Sequence, residues 1–190
     1  MQTALELAAE HLNRECRWLD LLLQRQVLRL RALCAQAPDK FRGLYIADAE
    51  IDALLAEDED SVVAEQIASL TEQINLLRHE NDSCLDESPD LPLALLTNRF
   101  GLSQFEGQVL LIALAPELDL RYQTLYAYVQ NDVTRKAPTV DLAVKLLCGT
   151  REHQWSARAA FSPSAALFRN CLLHLSEDEH DREQGQRPAE

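Results

Sequence analysis

The chain has few glycines, and none of the five (Gly43, Gly101, Gly107, Gly149, Gly185) is followed by lysine. A phosphate-cradling G-x-x-x-x-G-K-[ST] loop is therefore absent, and the sequence should not hydrolyse ATP. Its cysteines (Cys16, Cys34, Cys84, Cys148, Cys171) are odd in number, scattered and free of any C-x-x-C pair. That pattern argues against a disulfide framework and a zinc cage, and it suits a reducing cytosol. No run approaches the roughly 20 apolar residues that cross a bilayer. Glu6 and Glu10 stand where a cleaved signal would be basic and then apolar, so a cytoplasmic protein is expected. The histidines (His11, His79, His153, His174, His180) stand singly, without the i,i+4 second ligand of a metal-binding helix. Cys148 has no histidine or basic neighbour to make it a nucleophile. Catalytic, cofactor and metal residues are all expected to be none.

What the chain does have is enough apolar material for a core, 47% of 190 residues, which fits one large domain or two small ones. The net charge of −13 is uneven. Residues 37–90 hold three basic against fifteen acidic residues, and the last fifteen hold two against six, while 1–36 and 91–175 are close to balance. The acidic band, EDED at 57–60 and DSCLDESPD at 82–90, repels phosphate backbones and reads as a solvated linker or a surface for basic partners.

Leu12, Cys16, Leu19, Leu23, Gln26, Leu30 and Leu33 alternate steps of four and three, predicting one helix over 3–36, with Trp18, Leu22 and Leu28 as a second apolar face. Val63, Ile67, Leu70, Ile74 and Leu77 repeat the step and predict a helix over 61–80. The two should form an antiparallel hairpin, with self-association through either seam as the alternative and Gln26 as a possible register point. Between them, Gly43 permits a turn and Asp48 can cap a short helix carrying Ile51, Leu54 and Leu55. Phe41, Leu44, Tyr45 and Ile46 there form either a contact patch or core packing.

Crowded Asn, Asp, Ser, Glu and Pro predict a linker at 82–90, dividing a long-helix hairpin at 1–81 from a helical domain at 91–175, with a disordered acidic tail at 176–190. In the second domain Asp90 can cap a helix that has Pro92 in its first turn and ends at Phe100 in a left-handed Gly101. Ser103 and Glu106 form an S-x-x-E capping box before Val109, Leu110, Leu111 and Ile112, giving a helix-turn-helix outline. Further helix starts are predicted at Pro116, Thr139 and Pro163, and Leu118, Tyr122, Leu125 and Val129 form a buried stripe. Leu172 to Leu175 is a last helical turn or a short strand. From Ser103 to Ala115 there is no cation to neutralise phosphate, so protein contact is expected over DNA binding.

FRGLYI at 41–46, NRFGLSQFE at 98–106, the long stretch from Leu114 to Leu147 and FSPSAALFRN at 161–170 resemble the winged-helix-like segment ahead of the ATPase module in bacterial AAA-type ATPases, including those of contractile injection systems. The resemblance implies an all-α fold with at most a short β hairpin, residues 172–175 being the first wing strand. It implies a non-catalytic domain that recruits substrate at the edge of an ATPase ring, with ATP and magnesium confined to a downstream module. A DNA-binding winged-helix regulator and an oligomeric helical scaffold are the alternatives. Candidate protein-contact residues are Trp18, Phe41, Leu44, Tyr45, Tyr126 and Tyr128. Pro116, Asp119 and Arg121 should shape the entry to the third helix, and Asp132, Arg135 and Asp141 should pair in a loop-fixing network or lie solvated.

Overall fold

The four-three spacing of the first segment forms a single helix, α1 (Ala4–Gln36), in the computed structural model, which describes residues 4–36 and 61–176. Both of its apolar faces find neighbours: Trp18, Leu19, Leu22 and Leu23 are all buried. A second helix, α2 (Ser61–Glu87), returns antiparallel along it, so that Glu15 meets Arg78 and Arg14 meets Cys84. Ile67, Leu70 and Ile74 are its buried apolar residues, as the spacing predicts.

The polar segment 82–90 is not a linker from its start, because α2 continues through it to Glu87. Asn, Asp and Ser are weak helix formers but not breakers, and the Ser83 hydroxyl donates to the His79 carbonyl one turn back. Pro89 is the first residue that forces an exit, by disfavouring helical backbone at Ser88.

The next helix, α3 (Pro92–Phe100), starts with proline at its first position and is capped at Leu91 rather than Asp90, with no side-chain bond. Gly101 ends it at φ 61°, a conformation that a Cβ would oppose. Ser103 and Glu106 then make the expected reciprocal capping box at the head of α4 (Gln104–Leu118). Pro116 lies inside α4 instead of starting a helix. Proline there removes the bond that its N–H would have given the Ile112 carbonyl, and the Tyr126 hydroxyl donates to that carbonyl instead, at 2.8 Å.

In α5 (Arg121–Val129), Tyr122, Tyr126 and Val129 are buried, whereas Leu118, at the end of α4, leaves the expected stripe for the surface. Thr139 caps α6 (Val140–Leu147), whose Leu146 carbonyl accepts from Arg25 of α1 at 2.9 Å. Thr150 caps α7 (Arg151–Ala157), a 3-10 turn covers Arg158–Phe161, and the short α8 spans Ala166–Arg169, three residues after Pro163. Among the described residues all regular secondary structure is helical, and residues 172–175 are neither helix nor strand. The backbone turns at Cys171, with φ 55°, and the Leu172 and Leu173 N–H groups donate back to Leu167. Those donors close a local turn instead of pairing in a wing ladder.

One hydrophobic cluster joins Trp18, Leu19, Leu22 and Leu23 to Ile74, to Val109, Leu111, Ile112 and Ala115, to Tyr122 and Tyr126, and to Leu142, Leu146 and Leu167. The long hairpin therefore shares the core of the helices that follow it. Among the described residues no helix is long and apolar enough to cross a membrane. Residues 37–60 and 177–190, which include the predicted Asp48-capped helix and most of the acidic tail, lie outside the described residues.

Candidate functional site

The turn between α3 and α4 is held by one buried carboxylate. Glu106 Oε2 accepts from the Ser103 N–H at 2.9 Å and its hydroxyl at 2.8 Å, while Oε1 accepts from the Ala166 N–H at 3.0 Å. Burial pushes its pKa up, but the hydrogen bonds from Ser103, Ala166 and Leu167 outweigh burial and hold it below the ordinary value. Glu106 thus clasps the helix-turn-helix to α8 and is not available to an outside partner.

The other side of α4 is open. Gln104, Gly107, Gln108, Leu110 and Leu111 face Leu93, Ala94, Thr97 and Asn98 of α3, and with Arg78, Asp82 and Leu85 of α2 and Glu15 of α1 they line a cavity of about 360 Å³. Gly107 puts no side chain into it, and a Cβ there would meet Thr97 Oγ1 at 3.6 Å, an ordinary contact distance. The side-chain amides of Asn98 and Gln108 make no hydrogen bond within the described chain, whereas Gln104 Nε2 donates to Asp82 Oδ2 at 2.7 Å.

At the inner wall, Arg78 forks onto both Glu15 oxygens at 2.8 Å, reaches Asp82 at 2.8 Å and lies 5.0 Å over the Trp18 ring. Burial alone would lower its pKa, but bonds and charge from Glu15 and Asp82 raise it, so the guanidinium stays charged. Glu15 is 2% exposed. Beside it, His11 is equally buried with Nε2 at 3.5 Å from Glu15 Oε1, and that nitrogen has no hydrogen-bond partner among the described residues. Burial lowers the His11 pKa, Glu15 offsets this in part, and Arg14 and Arg78 lower it further, leaving the ring neutral at pH 7. Both amide atoms of the fully buried Asn81 are also unpartnered.

The predicted contact residues do not converge. Trp18 and Tyr126, expected at a surface, are 3% and 0% exposed and belong to the core, where Arg78 covers the indole and Ile112 accepts from the phenol. Tyr128 is 49% exposed on α5. Phe41, Leu44 and Tyr45 lie outside the described residues. Arg121 does fix the entry to α5, bridging Asp20 of α1 at 2.7 Å and Asp119 at 2.8 Å. The proposed loop network divides in two: Asp132 pairs with Arg135, while Asp141 pairs with Lys145 and Arg158. Sequence reading missed the cavity because four helices build it. Its one local signal is Gly107, a residue unfavourable in mid-helix unless something needs the space.

A second exposed feature is a stripe along α5 and its N-cap, where Leu120, Thr124 and Tyr128 stand at i, i+4 and i+8 and all face solvent. No curated protein and no solved structure matches the chain. A family model does, over residues 4–189, and it is described as a winged helix domain, variant. With its helix-turn-helix clasped at Glu106, the chain belongs to this winged-helix family and is a helical DNA- or protein-binding domain.

Proposed function

We propose that this winged-helix domain binds protein rather than DNA, as a non-catalytic module that recruits or orients a client for a AAA-type ATPase in the cytoplasm. The observation that carries the reading is α4. The second helix of the helix-turn-helix has no lysine or arginine, its buried carboxylate is committed to the clasp, and its open side presents amides and leucines to a cavity. Specific DNA binding draws on several cations to displace counterions from phosphates, and here Arg121, Lys145 and Arg158 are each paired with aspartate. The link to a AAA-type ATPase rests on the resemblance of NRFGLSQFE and the 114–147 stretch. ATP and magnesium would then act in a separate module.

The test has two arms. Titration of the chain into a labelled 24-base-pair duplex at 50 and 200 mM salt should show no salt-sensitive binding; affinity that falls steeply with salt would make the domain a DNA-binding regulator. Material recovered from the native source with an antibody to this chain should hydrolyse ATP, and its failure to do so would remove the ATPase. A light-scattering mass well above 21.5 kDa for the isolated chain would favour an oligomeric scaffold.

A further inference from the structure

We propose that the cavity between α2, α3 and α4 docks a short basic and aliphatic segment of a partner protein, one lysine or arginine reaching Asp82 while an aliphatic neighbour rests on Leu85, Leu93 and Leu110. This deepens the protein-binding reading and rests on it. The volume, about 360 Å³, is at the small end of the range for ligand sites and suits a side chain or two rather than a whole cofactor.

Charge selects the occupant. The wall carries two carboxylates, Glu15 and Asp82, against one guanidinium, Arg78, whose donors already serve both. The net negative charge of the wall is most accessible at Asp82, whose side chain is 35% exposed, with one oxygen on Arg78 and the other on Gln104. An acidic or phosphorylated ligand would meet that charge directly. A wholly apolar one would strip water from Asp82 without replacing it. A cation on an aliphatic stem satisfies the carboxylate and covers the leucines together. The amides of Asn98 and Gln108, without a hydrogen-bond partner among the described residues, offer donors and acceptors to a bound peptide backbone. Gly107 puts no side chain into the space, and Thr97 is held by its own bond to the Leu93 carbonyl at 2.8 Å.

The experiment is fluorescence anisotropy of the full chain with a labelled peptide, LKKLLKKLLKKL, and its counterpart with glutamate for every lysine. The basic peptide should bind and the acidic one should not. Gly107→Leu should fill the cavity and weaken binding by about tenfold or more, Asp82→Asn should weaken it about threefold, and Glu72→Gln, on the exposed side of α2, should leave it unchanged. A thermal melt establishes that Gly107→Leu is folded. Amide shifts in the wild-type protein provide the independent measurement and should centre on Leu85, Leu93, Asn98 and Gln108. Equal affinity for the acidic peptide, no binding of the basic one, unchanged affinity of folded Gly107→Leu, or shifts centred elsewhere would each overturn the docking site. None of those outcomes touches the DNA titration or the ATPase recovery, so failure of the site is separable from failure of the function.

Discussion

The ion pairs of Glu15 and of Asp20 both tie α1 to the helices packed against it, and they differ chiefly in their access to water. At one, Glu15 and Arg78 are sealed between α1 and α2, with side chains 2% and 14% exposed. At the other, Arg121 joins Asp20 and Asp119 at comparable distances but stands about half in solvent. Identical chemistry thus does different work. Exposed charges are hydrated and screened whether or not they pair, whereas a buried charge that loses its partner has nothing to replace it. The buried set fixes how the hairpin closes, and the exposed set trims the entry to α5.

The sharpest way to break this contrast is Glu15→Ala, which takes both bonds of the fork from the Arg78 guanidinium and leaves it only Asp82, at the mouth of the cavity. It should cost about 3 kcal/mol, the low end for breaking a buried pair because Asp82 remains, seen as a large fall in the urea midpoint. Next, Tyr126→Phe leaves the Ile112 carbonyl without a donor in the core and should cost about 1–3 kcal/mol in the same assay, with little change in helix content. Third, the buried set should respond to pH. His11 has a lowered folded-state pKa, so the native state binds fewer protons than the unfolded one. Its contribution is complete above the unfolded value of 6.5 and is lost as pH falls below that value toward the folded pKa. Melts between pH 7.5 and 5 should therefore show a slope that His11→Gln reduces; an identical slope in the variant would place the proton uptake elsewhere. The smallest effect belongs to the exposed set: Arg121→Ala should cost about 1 kcal/mol or less, and the difference from wild type should shrink further in 1 M salt.

Much of the scaffold was legible because it is locally determined. The hairpin follows from apolar spacing alone, and Gly101, Ser103 with Glu106, and Thr139 mark helix boundaries through chemistry confined to four residues. The misreadings share a physical cause, which is tertiary context overriding a local cue. Pro116 looks like a start until Tyr126 supplies the missing donor, and residues 82–87 look like a linker until α2 carries on through them. Trp18 and Tyr126 could not be assigned to core or surface from one sequence, since both roles favour aromatic rings. Deleting residues 1–36, which would test a free-standing hairpin, instead removes part of the shared core.

The bond between the Tyr126 hydroxyl and the Ile112 carbonyl has a consequence for descent as well as for stability. Proline at 116 leaves the Ile112 carbonyl without its helical donor, and the phenol at 126 stands in for the missing amide. The two positions are therefore physically coupled in this chain. In diverging copies of this domain, loss of the hydroxyl should be accompanied by a residue at 116 that restores the helical N–H.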